Sequence, residues 1–292
     1  MWTGTGLRLA GHAFDDRAWL VPEPRVSVRG TLTDVWRATW FVGRFSQSPP
    51  ADRWTEGLGG DDVGLMTAWQ TSAGLSARWP SGVGLDVTAY GATQADVVVE
   101  RQTWGVALDA DAEAVPRRLT ELDAADGRTL GVEALLRIQP RGRFFGWLAA
   151  TTGRSWRYLE GERFVSDNDQ PVVLTAVAAL DLPRDWGLSS RVRVSSGSPF
   201  TPQSAVYDAE LDLWSGLSGA RNSERFPVYR QVDLRVDKTW TARRAQWMLY
   251  LDVYNGTNTR NPLLVSYTPN FERTVPTVYV PILPLLGLEV AY

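Results

Sequence analysis

The sequence contains no cysteine and a single histidine, His12. The first absence excludes disulfides, iron–sulfur clusters, thiolate nucleophiles and cysteine-based zinc sites. One imidazole excludes any site that needs two. Carboxylates are plentiful but form no recognisable dyad, and no Ser/His/Asp set can be built away from His12. The chain therefore reads as a non-enzyme with no catalytic residue, no cofactor and no metal centre. An excess of charge of one sign is also lacking. The formal net charge is -3, so there is no basic field for nucleic acid. No apolar run approaches the roughly 18 to 20 residues of a membrane helix; the longest, Pro171 to Pro183, is interrupted by Thr175 and Asp181. Met1-Trp-Thr-Gly lacks the basic start and apolar stretch of a secretory signal. Helical periodicity is missing too: no apolar stretch at i, i+3, i+4, i+7 persists beyond two turns.

What is present is alternation at period two. Val232, Leu234 and Val236 share one face, with Gln231, Asp233, Arg235 and Asp237 on the other. Trp247, Leu249, Leu251 and Val253 oppose Gln246, Met248, Tyr250 and Asp252. This is the strand signature. Twelve such segments follow one another: 3–10, 22–30, 34–45, 63–79, 82–101, 127–139, 143–156, 171–182, 186–197, 226–240, 246–256 and 278–292. The connections alternate in length. Those at 31–33, 80–81, 140–142, 183–185 and 241–245 are short; those at 11–21, 46–62, 102–126, 157–170, 198–225 and 257–277 are long. A Greek-key sandwich has no reason to place every long loop at one end, whereas an up-and-down barrel does.

Alternation alone does not say which face meets water. Three features favour a membrane barrel with the apolar face outward. First, Trp36, Trp79, Trp147, Trp186, Trp240 and Trp247 all lie close to a short turn, as an interfacial aromatic girdle would. Second, Leu286, Leu288, Val290 and Tyr292 give the last segment an aromatic end with apolar residues at alternate positions, a C-terminal insertion signal; such an edge has to be paired. Third, most segments match the 9 to 11 or so residues that cross a bilayer, well above the soluble mean of about 5 to 6. The expected fold is an all-β transmembrane antiparallel barrel with about twelve strands in this chain, short periplasmic turns and long extracellular loops.

With that phase, the lumen carries Arg8, Arg25, Arg29, Arg37, Arg78, Arg137, Arg191, Arg193 and Arg235 against Asp86, Glu133, Asp233, Asp237, Asp252 and Glu289. Two meanings are open: a pathway for an anionic or polar solute, or a cross-strand ion-pair lattice that stiffens the wall or docks a plug. The long connection 198–225 offers Phe200, Tyr207 and Trp214 as extracellular ligand contacts, with Asp208, Glu210 and Asp212 beside them. The 102–126 connection, with Trp104, Arg117 and Arg118, reads the same way. Asp61-Asp62 and Asp167-Asn-Asp169 are acidic loops without calcium-loop spacing. His12 is expected to be idle in an exposed loop.

Several stretches resemble the barrel of the TonB-dependent outer-membrane receptors: Ser196-Gly-Ser-Pro-Phe-Thr-Pro202, Val232-Asp-Leu-Arg-Val-Asp-Lys-Thr-Trp240, Tyr250-Leu-Asp-Val-Tyr-Asn255, Thr259-Arg-Asn-Pro262 and Pro281-Ile-Leu-Pro-Leu-Leu-Gly287. Looser matches at Pro24–Arg29, Leu130–Glu133 and Gly142–Trp147 extend the resemblance over most of the chain. Asn255-Gly-Thr-Asn258 departs from the family pattern. The resemblance implies a Gram-negative outer-membrane location and energised uptake of a scarce solute such as a metal chelate, cobalamin or a glycan. It implies as partners the outer-membrane lipid and the barrel-assembly machinery, with TonB and a plug domain only if more sequence lies upstream. Family members have 22 strands and a plug. The chain is thus expected to be the C-terminal half of such a barrel, or else a single barrel over residues 1–292 that acts as a plug-less passive pore or scaffold.

Overall fold

A computed structural model describes residues 1–14, 17–49, 64–108, 114–138, 142–209, 213–262, 264–268, 274–277 and 280–292. The strands are β1 (Trp2–Phe14), β2 (Arg17–Thr31), β3 (Trp36–Gln47), β4 (Met66–Arg78), β5 (Val83–Leu108), β6 (Ala114–Ile138), β7 (Phe144–Leu159), β8 (Glu162–Val165), β9 (Val172–Leu182), β10 (Trp186–Ser195), β11 (Pro199–Phe200), β12 (Gln203–Asp208), β13 (Leu213–Ser218), β14 (Glu224–Arg225), β15 (Tyr229–Ala242), β16 (Ala245–Tyr254), β17 (Leu264–Tyr267), β18 (Thr274–Thr277) and β19 (Leu283–Ala291).

Twelve of them form one antiparallel up-and-down sheet in the order β1-β2-β3-β4-β5-β6-β7-β9-β10-β15-β16-β19, with β8 added to the edge of β7. These are the twelve segments read from the alternation. The sheet is a path and not a ring: among the described residues no ladder joins β1 to β19. The remaining short strands form small hairpins within the connections at one end, β11 with β14, β12 with β13 and β17 with β18.

Two connections differ from the expectation. Residues expected to form the loop 11–21 instead continue the β1–β2 ladder as far as Phe14↔Arg17. Much of the stretch 102–126 is likewise strand: β5 and β6 remain paired out to Leu108↔Ala114, past a register shift between Gln94 and Val97 where Asp96 has φ 58°. The elaboration at this end is therefore partly built of extended hairpins, whose backbone groups satisfy one another. A bulge raises local twist and re-aims the strand beyond it.

Among the described residues the sheet has no apolar interior of ordinary size. The buried apolar residues among those described are few and mostly small, including Ala10, Ala77, Ala125 and Ala245. Large apolar side chains instead stand out in rows. Register puts Leu188, Val236 and Leu251 side by side across β10, β15 and β16, and Leu249 beside Leu288 on β19. Leu234 is 43% exposed and Leu251 41%. The opposite face of the same strands carries Arg191, Asp233, Arg235 and Asp252. A soluble sheet would bury its apolar face against another layer; this one presents it outward, as a barrel wall in lipid does.

Candidate functional site

The inner wall is organised as cross-strand ion clusters. On β4, β5 and β6, Arg78 Nη2 donates to both oxygens of Asp86 at 2.7 and 2.9 Å, and Arg137 Nη2 donates to Asp86 Oδ2 at 2.6 Å. On β10 and β15, register places Arg191 opposite Asp233, and its Nε and Nη2 reach Asp233 Oδ2 at 2.8 and 2.6 Å. The other oxygen of Asp233 accepts from Gln231 Nε2 at 2.8 Å and from the Asn255 backbone N–H at 2.9 Å. Arg235 reaches Asp252 at 3.2 Å and Asp237 at 3.7 Å while lying 4.0 Å from the centre of the Tyr250 ring. Tyr250 has room only because its register partner is Gly287, where a Cβ would collide with the ring.

A fourth cluster gathers β1, β2 and β3. Glu23 is buried, and its Oε1 accepts from the Ser46 N–H and hydroxyl, both at 2.8 Å. Arg25 donates to Oε2 at 2.9 Å, and Arg8 lies 3.7 Å away. His12 is not idle in a loop: it stands on β1, with Nε2 2.8 Å from Ser46 Oγ and Nδ1 3.1 Å from Ser48 Oγ. Ser46 and His12 do meet, but the carboxylate is bonded to the serine. A hydrolase triad needs it on the far nitrogen of the imidazole, so the arrangement is a fastening.

The other inward positions are less engaged. Arg37 stands opposite Thr31 and Ser76, and Glu289 opposite Met248. Arg193 lies 6.0 Å from the Tyr229 ring, where the inner wall meets the loop end. With Ser195, Ser198, Gln170 and Asn261 these two line a cavity of about 280 Å³. Of the aromatics, Trp36 and Trp79 meet edge to face at 6.0 Å, and Trp240 stacks on Trp247 at 6.4 Å, all beside short turns. Trp186 projects outward in register with Leu182. Trp147 stands on the other side, in register with Arg137 and Val177. Leu286, Leu288 and Val290 face outward with Leu251, Leu249 and Trp247, and Tyr292 follows β19.

At the loop end, Tyr207 and Trp214 form an exposed ring pair 5.1 Å apart on the β12–β13 hairpin. Phe200 packs instead on Phe226 at 4.9 Å. Asp169 is buried: its Oδ1 accepts from the Ser155 N–H at 2.6 Å, and its Oδ2 accepts from Arg225 and lies 3.4 Å from Arg154. Arg225 also donates to the Asp169 carbonyl at 2.7 Å and the Gly197 carbonyl at 3.2 Å. Asn222 donates to the Val165 carbonyl at 2.7 Å and to Asp167 Oδ1 at 2.6 Å. The connections 160–171 and 196–228 are thus bolted together, and the acidic pair is a latch. Among the described residues no three potential ligands converge as a metal site. Asp61 and Asp62, and Glu210 and Asp212, lie outside the described residues, as do the side chains of Trp104, Arg117 and Arg118.

The departure at Asn255-Gly-Thr-Asn258 is structural. Asn255 is buried with φ 50°. Its Nδ2 donates to the carbonyls of Thr259 and Val280 at 3.0 and 2.9 Å, and its Oδ1 accepts from the Thr259 N–H at 3.0 Å. Asn261 pairs with both backbone groups of Arg230 at 3.0 and 2.7 Å. These buried amides, Glu23 and the Asp169–Arg225 latch are absent from the sequence reading. The signals for them were faint: an Asn at a strand exit, where a left-handed residue fits, and Arg25 two residues beyond Glu23 on one strand face.

No family model matches the sequence, and no curated protein matches it. Solved structures do match in fold. The ferripyoverdine receptor of the outer membrane of Pseudomonas aeruginosa aligns over 93% of this chain and 33% of its own, with TM-score 0.61 and 11% identity. The copper transporter OprC aligns over 97% and 42%, with TM-score 0.61 and 13% identity. The FrpB iron transporter from Neisseria meningitidis aligns over 93% and 39%, with TM-score 0.59 and 14% identity. The chain has the barrel fold of TonB-dependent outer-membrane receptors. It spans about a third to two fifths of the length of the first structures it matches.

Proposed function

We propose that this chain is part of the barrel wall of an outer-membrane receptor of the TonB-dependent type, which takes up a scarce solute such as a metal chelate, cobalamin or a glycan. The observation that carries the reading is the sheet's inside-out character combined with its open edges. An outward apolar face calls for lipid, and lipid tolerates no unpaired strand. The outer edges of β1 and β19 have no ladder partner among the described residues. This reading therefore takes the twelve strands as part of a larger barrel, C-terminal as the resemblance implies. A barrel well beyond twelve strands has a lumen that its own side chains cannot fill. A polar wall of this kind then needs an occluding domain, which in this reading is the plug moved by TonB. The inner ion clusters present the wall on which such a plug rests, and the Arg193–Tyr229 cavity with the Tyr207–Trp214 pair offers solute contacts at the loop end.

The test is uptake by cells carrying the complete protein. Accumulation of labelled ferric chelates, cobalamin and copper is compared with cells lacking the gene, with and without collapse of the proton gradient. Energy-dependent accumulation of one of them supports the reading. Steady conductance in planar bilayers that needs no energy source would replace it with a passive pore.

A further inference from the structure

The outward rows of the wall are apolar from the short turns upward: on β6 they run Ile138, Leu136, Ala134, Val132, Leu130, and on β4 Ala77, Leu75, Ala73, followed by Thr71, whose hydroxyl is bonded to the Phe41 carbonyl. The next outward residues are Arg128 on β6 and Trp69 on β4. Arg128 therefore stands ten residues above Ile138, about the length that crosses the hydrocarbon. Arg163 joins it from β8, in register with Tyr158 on β7. Arg128 lies 5.4 Å from the Tyr158 ring. Among the described residues no carboxylate comes within ion-pair distance of Arg128 or Arg163, although Asp126 is the next outward residue on β6 and Glu162 precedes Arg163. Every arginine cited in the inner clusters has such a partner. Between these side chains the wall is notched. Gly91 on β5 leaves open the space beside Leu130, where a Cβ would come within 3.0 Å of Leu130 Cδ2. The resulting groove has a volume of about 470 Å³ and is lined by Trp69, Gly91, Arg128, Leu130, Tyr158 and Arg163, among others.

Two unpaired guanidiniums on a lipid-facing surface, level with the headgroups, beside a half-apolar groove, call for an anion attached to a hydrocarbon. From this we infer that the groove binds a phosphate-bearing lipid of the leaflet at the loop end. The guanidiniums take the phosphate, for which their planar fork is suited. Trp69 and Tyr158 sit at the interface, and an acyl chain descends over Leu130 through the gap left by Gly91. The placement also explains why arginine is tolerated here: its cost on the outer face of a barrel falls steeply from the bilayer midplane to the interface.

The inference rests on the membrane-barrel reading, and the test separates the two. The complete protein is purified in dodecyl maltoside, and bound lipid is measured by native mass spectrometry. The probes are diphosphoryl lipid A, the same lipid with both phosphates removed, and inorganic phosphate as competitor. Binding of the phosphorylated lipid is expected to weaken about tenfold or more, a loss of charge-assisted contacts, in Arg128→Glu/Arg163→Glu and on removal of the phosphates. The milder Arg128→Gln/Arg163→Gln pair keeps the test open if the charge reversal prevents folding. Gly91→Leu should weaken binding with both arginines intact. Undiminished binding in the arginine variants overturns the inference, as does equal binding of the phosphate-free lipid. Displacement of the lipid by millimolar inorganic phosphate would make the groove a free-anion site, and would overturn it as well. A protein that stays in solution without detergent sinks the membrane reading itself.

Discussion

The barrel wall and the loop end both hold buried or half-buried carboxylates between arginines, but they hold them differently. On the wall, the buried Glu23 aside, the side chains of Asp86 and Asp233 remain 24% and 17% exposed, and their arginines about half exposed. At the loop end the Asp169 side chain is 1% exposed. It is fixed by a backbone N–H as well as by Arg225. A pair in contact with water contributes little to stability, because water would solvate each ion nearly as well. A pair removed from water is different. Its net contribution to stability is modest, yet losing one partner strands the other without solvent. The wall is therefore a tunable surface, and the latch is a condition for the loops' shape.

The largest break in that comparison is Asp169→Ala. It strands the Ser155 N–H that Asp169 now accepts from, and leaves Arg225, whose side chain is 27% exposed, without its counter-ion beside the Asp169 and Gly197 carbonyls. The expected cost is about 3–5 kcal/mol, localised to the loop end. Limited proteolysis of the folded protein should then cut within residues 196–228 while the barrel stays intact. A digestion pattern identical to that of the unsubstituted protein would show that the latch does not hold the two connections.

Next comes the outer face. Leu234→Arg or Leu251→Arg places a guanidinium at mid-strand on the apolar side, expected to cost about 2–4 kcal/mol in a bilayer. Unfolding midpoints in denaturant, measured in phospholipid vesicles, check it. In detergent micelles the penalty should shrink, since water reaches the wall more readily. Equal and small costs in both media would mean that the apolar face does not meet lipid.

A smaller effect is expected for Asn255→Ala. The substitution leaves the Val280 carbonyl and both backbone groups of Thr259 without the partners they have now. At roughly 1–3 kcal/mol per stranded buried group, softened by water at the strand exit, a total near 2 kcal/mol is expected. Hydrogen exchange should quicken at Thr259 and leave Leu234 to Asp237 protected.

How much of this is legible in the sequence differs between the same two regions. Wall strands announce themselves because lipid on one side and water on the other impose a strict period of two; Leu234 and Asp233 cannot exchange faces without a register slip. That is why the period reveals all twelve strands and puts Arg191 and Asp233 on one face without knowledge of their pairing. The loop end obeys no period. Asp169 and Arg225 are 56 positions apart, and nothing in either neighbourhood points to the other. The long hairpins of β1–β2 and β5–β6 escape the pattern for a related reason. A hairpin that runs beyond the bilayer need not separate two environments, so Arg101–Leu108 and Ala114–Glu121 show no alternation in sequence although their backbones remain paired. Trp147 shows the limit within the wall itself: proximity to a short turn suggests the outward girdle, whereas the phase of β7 places it beside Arg137.

The smallest expected effect sharpens the comparison most, because it separates a lattice from an isolated pair. Asp233→Asn removes the charge opposite Arg191 and keeps an oxygen that can accept from Gln231 or from the Asn255 N–H, though not all three donors at once. If the wall pairs are solvated, the cost is about 1 kcal/mol or less, and it fades as salt screens the interaction. Added to Asn255→Ala, the two losses should fall short of their sum, since both loosen the strand exit at which the Asn255 backbone N–H is held by Asp233. A double-mutant cycle in vesicles measures that shortfall. Strict additivity would mean that the ion clusters and the buried amides are independent fastenings. A large, salt-insensitive cost for Asp233→Asn alone would place it with Asp169, and the inner wall would then depend on its ion pairs for its shape no less than the loops above it do.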